Sequence, residues 1–117
     1  MKNIYTWAAK PAKRTLTVGD LKAAKGKRKF TQVTANNVEE AEAVEKAGFD
    51  MIISNAKNVI PVREGSRNLF LTAALVLNEF VTADDIMRGA FKALENGADA
   101  VMTVSYTHLR AHETCLD

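Results

Sequence analysis

Short apolar runs alternate with helical periodicities from residue 17 onward, the loops between them are short, and two stretches repeat one order of signals. Together these predict an α/β fold, with β/α units around a parallel sheet of about four strands, half of a (β/α)8 barrel. The repeated order is helix end, glycine, aspartate, apolar strand. It reads Glu45-Lys46-Ala47-Gly48-Phe49-Asp50-Met51-Ile52 in one place and Glu95-Asn96-Gly97-Ala98-Asp99-Ala100-Val101 in the other.

Taken in order, Met1 to Leu16 reads as a polar, irregular arm, with Trp7 as an anchor against a neighbouring element. Thr17 is an N-cap for a short helix over Val18 to Lys25, with Asp20 completing a capping box and Gly26 as the stop. Phe30 to Thr34 has a strand pattern. Asn37 caps the next helix with Glu40 three residues on, the apolar positions Val38, Ala41, Val44 and Ala47 follow, and Gly48 ends it. Phe49 to Ile53 suits a buried parallel strand. Ala56 to Glu64 reads as a weaker helix disturbed by Pro61, followed by a turn at Gly65 to Asn68 and a strand from Leu69 to Ala74 or beyond. Thr82 and Asp85 cap a helix whose apolar face is Ile86, Met87, Ala90, Phe91 and Leu94, before a strand over Ala98 to Thr103.

The chain has 117 residues, 47% hydrophobic and 26% charged, which fits one globular domain. Apolar runs fall far short of the ~20 residues of a membrane helix, and no secretory h-region opens the chain. The cytoplasm is therefore the expected compartment, with no membrane partner. The formal charge of +2 conceals a basic segment from Lys2 to Lys29, opposed only by Asp20. Such a segment can meet anionic ligands, but it lacks the aromatic interleaving of a nucleic-acid surface. No nucleic-acid partner is expected, and a solvated arm or an oligomer contact is the simplest reading.

Residues 104 to 114, VSYTHLRAHET, resemble the reading-frame translation of a transposase-type sequencing adapter. The expected division is a basic arm over 1–16, a domain over 17–103 and a non-native tail over 104–117. His108 and His112 have the i, i+4 spacing of a metal pair, and Cys115 is the sole cysteine. All three fall in this tail and a third ligand is missing, so no zinc or thiol site is expected.

In β/α folds ligands gather outside the carboxyl ends of the strands. The polar residues there are Thr34, Asn36, Ser54 and Asn55, with Asn78 and Glu79 after the third strand. Amides and hydroxyls in these places can hydrogen-bond the carboxylate or carbonyl of a small acid. Asn37 is accounted for by its helix cap. Ser54 and Asn55 serve equally as ligand contacts or as turn residues. Glu79 is a candidate metal ligand or a loop charge, and Lys57 a cation for a developing enolate or a surface lysine.

With GKRKFTQVTANN, AGFDMIISN and ENGADAVMT as anchors, residues 16–103 resemble the N-terminal half of the ketopantoate hydroxymethyltransferase (3-methyl-2-oxobutanoate hydroxymethyltransferase) family. That family belongs to the phosphoenolpyruvate mutase/isocitrate lyase-like TIM barrels. The resemblance implies one-carbon transfer from 5,10-methylenetetrahydrofolate to a branched 2-oxo acid in pantothenate biosynthesis, with Mg²⁺ and a homo-oligomeric full-length enzyme. In the family one metal aspartate follows the second strand in a Gly-Asp-Ser context and another follows the third strand. Ala56 and Ala74 stand at those positions here, unless a gap lets Asn78 or Glu79 take the second. Thr34 and Ala35 match the first strand–helix turn, where Asn36 and Asn37 replace a Tyr-Asp pair. The family's later catalytic residues fall beyond Thr103. Two alternatives accompany this expectation: another carbon–carbon lyase or mutase of the superfamily, and a non-catalytic small-acid-binding or assembly module.

Overall fold

The computed structural model describes residues 2–27, 29–76 and 81–104. Residues 2–16, expected as an irregular arm, carry a hairpin. β1 (Lys2–Tyr5) and β2 (Pro11–Arg14) pair antiparallel, with Lys2 opposite Arg14 and Tyr5 opposite Pro11. At the tip, Thr6 N donates to Lys10 O and Ala9 N to Thr6 O, each at 2.8 Å. Ala9 takes φ 64°, a position where glycine or asparagine is the usual sign of a tight hairpin. Without that sign the hairpin was invisible in the sequence. Trp7 does anchor the tip, its ring stacking on Phe91 at 5.5 Å between centroids.

α1 (Val18–Ala23) has the expected capping box. Asp20 N donates to Thr17 Oγ1 at 3.2 Å and Thr17 N to Asp20 Oδ2 at 3.0 Å, and Lys2 adds an ion pair to Asp20. In α2 (Val38–Ala47), Glu40 N donates to Asn37 Oδ1 at 2.8 Å. The Glu40 carboxylate reaches one residue further back than a capping box does, to Asn36 N. Gly48 closes α2 in the left-handed region, φ 85°.

Four strands form one parallel sheet in sequential order: β3 (Gln32–Thr34), β4 (Met51–Asn55), β5 (Phe70–Val76) and β6 (Ala100–Val104). The expected parallel α/β arrangement is therefore present. β3 and β4 begin two residues later than the apolar runs, because Thr31 and Asp50 are tied up at the strand entrance. Between β4 and β5 the expected single helix divides into a 3₁₀ turn (Ala56–Asn58) and α3 (Val59–Gly65). Pro61 lies in the first turn of α3, where backbone N–H groups have no intrahelical acceptor and proline costs little. Gly65 abuts α2: a Cβ there would collide with the Val38 carbonyl oxygen and lie 2.9 Å from Ala41 Cβ.

Register and pleat decide which residues are covered. Val33, Ile52 and Leu71 align across β3–β5, as do Ser54, Ala73 and Val101 across β4–β6. This face packs against Ala41 and Val44 of α2, Val59 and Val62 of α3, and Ile86, Ala90 and Ala93 of α4 (Ala83–Glu95). Ala93 was absent from the expected face of α4. Met87 and Phe91 were included in it, yet they remain 54% and 46% exposed. The opposite sheet face carries Met51, Ile53, Thr72, Ala74 and Ala100, all partly exposed.

The repeated Gly-x-Asp signal has one physical meaning in both places. Each aspartate stands before its strand and accepts from a backbone N–H of the adjoining strand segment: Asp50 from Thr31 at 2.9 Å, Asp99 from Leu71 at 3.0 Å. Asp99 does more. Its carboxylate also accepts from Arg14 Nε at 2.9 Å and Arg63 Nη2 at 2.8 Å, and Arg14 is 3% exposed. The remaining guanidinium bonds end on the carbonyls of Lys13, Arg67, Gly97, Ser66 and Leu69. Burial, with the Arg14 charge adding to it, pushes Arg63 down to about 10 against the pull of Asp99, so it stays charged at neutral pH.

Asp99→Asn leaves two buried guanidiniums without a counter-charge and should cost about 3–5 kcal/mol in urea-induced unfolding. A second prediction concerns pH. Asp20 lies below the usual carboxylate range through the Lys2 contact and then the Thr17 N–H. Asp85 does so through the Thr82 backbone N–H and then its hydroxyl. Both folded values are depressed, so the caps contribute stability above the unfolded value of about 4 and lose it as pH falls through the folded values. Far-UV circular dichroism at graded pH should show this loss below pH ~4, and Asp85→Asn should reduce it.

Candidate functional site

The parallel sheet brings the ends of β3 and β4 to one rim, and the α2 and 3₁₀ turns that follow them complete it. Thr34 ends β3 and is exposed. Asn36 follows two residues later. Its Oδ1 accepts from Asn55 N at 2.9 Å and from Asn58 Nδ2 at 3.1 Å, while its own N–H donates to Glu40 Oε1 at 2.8 Å. Asn55 Oδ1 accepts from Lys57 N at 3.1 Å. These bonds fix which way the amides of Asn36 and Asn55 face. Both carbonyl oxygens are engaged, and among the described residues neither Nδ2 group has an acceptor. The rim therefore presents two amide donors and the Thr34 hydroxyl.

Pleat alternation separates Ser54 from Asn55. Asn55 shares the face of Ile53 and Thr34. Ser54 points into the helix layer, is 1% exposed, and donates from Oγ to Asn55 O at 3.2 Å. Asn37 is the α2 cap. Asn58 was not singled out from the sequence; only its short spacing from Asn55 hinted that a 3₁₀ turn would swing it to Asn36. Asn78 and Glu79 lie outside the described residues, as do His108, His112 and Cys115.

The donor set can be tested against Mg²⁺, which needs hard, anionic oxygen ligands in near-octahedral order. Ala56 opens the 3₁₀ turn and Ala74 lies beside Asn55 in β5, so methyl groups occupy both positions where the resemblance implies aspartates. Glu40 brings a carboxylate to Asn36, where it is already bonded to the backbone N–H. Among the described residues no three His, Cys, Asp or Glu side chains come together as a metal site. The described rim does not fit Mg²⁺. What it can do is hold an anionic oxygen by neutral donors; neither amide can itself remove a carbon-bound proton.

The fold and rim define a parallel α/β protein with an amide-lined opening at its strand ends. No protein-family model and no curated protein matches the chain. Among the described residues no helix is long and apolar enough to cross a membrane.

Asn36 can be tested by two substitutions. Asn36→Ala releases both Asn55 N and Asn58 Nδ2 and should lower stability by about 0.5–1.5 kcal/mol in urea titrations. Asn36→Asp keeps an acceptor for both donors and should stay within ~0.5 kcal/mol of the parent.

Proposed function

We propose that the chain forms the N-terminal half of a (β/α)8 barrel and binds the carboxylate and 2-oxo oxygens of a small, branched 2-oxo acid at Thr34, Asn36 and Asn55. Ser54 shapes the rim from beneath. The observation that carries this reading is the pair of amide donors, Asn36 Nδ2 and Asn55 Nδ2, held by bonded carbonyl oxygens at one end of a parallel sheet. The activity it serves is that of a ketopantoate hydroxymethyltransferase-like cytoplasmic enzyme, with 5,10-methylenetetrahydrofolate as co-substrate and a homo-oligomeric full-length form. Amide donors aimed at an enolate oxygen stabilise charge as it develops. The base that removes the proton is not among Thr34, Asn36, Ser54 and Asn55.

A second reading has its own observation. Methyl groups at Ala56 and Ala74 favour a protein that binds the same acid without turning it over, whether as a binding module or within an assembly. Another lyase or mutase of the superfamily would share the acid-binding residues but yield a different product.

Titration with 3-methyl-2-oxobutanoate should produce saturable amide shifts at residues 34–36 and 55–58 in two-dimensional NMR spectra. Asn36→Asp, which exchanges a donor for a negative oxygen, should abolish them while the protein stays folded. Ketopantoate formed with 5,10-methylenetetrahydrofolate, assayed with and without Mg²⁺, would support the transferase. Binding without product supports the second reading, and shifts that do not saturate at the rim count against both.

A further inference from the structure

The opposite end of the sheet carries a different chemistry. A cleft of about 580 Å³ opens between β2 and α3, bounded by the loops that precede β5 and β6. Its charged lining is Lys10, Lys13, Arg14, Arg63 and Arg67 against Glu64 alone. Arg14 and Arg63 share one carboxylate, Asp99, and Glu45 also attracts Arg63. Arg14 is 3% exposed. Its Nε and Nη1 are bonded, but its Nη2 has no acceptor among the described residues. A buried donor without an acceptor carries a cost that an anion in the cleft would offset. Lys10, Lys13 and Arg67 are exposed around it, and none forms an ion pair among the described residues.

We propose that this cleft binds the dianionic phosphoryl group of a small phosphorylated ligand. Guanidinium and ammonium groups together suit a tetrahedral dianion with several acceptor oxygens better than a single carboxylate. The volume lies within the range of small-molecule sites. A nucleic acid fits less well, because the lining has no aromatic ring on which a base could stack and Glu64 interrupts the positive rim. This site is separate from the acid-binding rim and does not depend on it.

The test uses the whole 117-residue chain and inorganic phosphate at constant ionic strength, followed by two-dimensional NMR. Saturable shifts are expected at the backbone amides of Arg14, Arg67 and Gly97, with acetate at least roughly tenfold weaker. Lys13→Ala combined with Arg67→Ala alters only exposed side chains and should weaken phosphate binding roughly tenfold or more, with an unchanged melting temperature. Lys10→Ala with Lys13→Ala, a second exposed pair, should act in the same direction, and Lys46→Ala on α2 should have no effect. Shifts that rise linearly and are reproduced by chloride would overturn the proposal. So would equal binding of acetate, indifference to both double variants, or duplex DNA outcompeting phosphate at these residues.

Discussion

The carboxylate of Asp99 gathers four separate pieces of chain: the hairpin through Arg14, α3 through Arg63, β5 through Leu71 N, and the entrance of β6 on which it stands. Taking three charges out of water is expensive, and their mutual attraction offsets that cost only when the remaining donors are also satisfied. Here the other bonds of the two guanidiniums end on Lys13 O in β2 and on four loop carbonyls, all but Arg14 Nη2 being engaged among the described residues, and these bonds also fix the amino-end loops. The hairpin is held to the domain by this cluster, by Thr15 N bonded to Asn68 O, and by the Trp7–Phe91 stack. Remove the carboxylate and three elements lose their common partner at once.

The two ends of the sheet consequently differ in kind. The amino end is bound by buried charge, while the carboxyl end is bound by neutral amide hydrogen bonds at exposed residues. In β/α folds the first end serves stability and the second serves chemistry, because strand-end loops can vary without disturbing the core. The amide-lined rim follows that division. The proposed phosphoryl cleft lies at the stabilising end, where exposed Lys10, Lys13 and Arg67 flank the buried arginines.

The rim also limits what chemistry can be assigned to it. Asn36 and Asn55 can orient and polarise an oxo acid, but neutral amides cannot take up a proton from carbon. Ala56 and Ala74 contribute methyl groups beside the rim and no oxygen ligand for a divalent cation.

Local signals in the chain determined a good deal. The cap side chains at Thr17, Asn37 and Thr82 and the stop at Gly48 depend on residues within a turn or two of one another, and each formed as read. The Gly-x-Asp repeat was visible as a pattern, but its role was not, since its partners, Thr31, Leu71, Arg14 and Arg63, are distant in sequence. The hairpin escaped notice because Ala9 occupies a left-handed position that usually announces itself with glycine. Thr34, Asn36 and Asn55 could be placed at strand ends from order alone. Which of Ser54 and Asn55 faces the opening depended on strand register, and the convergence of Asn58 on Asn36 depended on the 3₁₀ turn. Capping and periodicity are short-range and therefore written in the sequence; register and buried ion pairing join segments far apart, and only tertiary structure decides them.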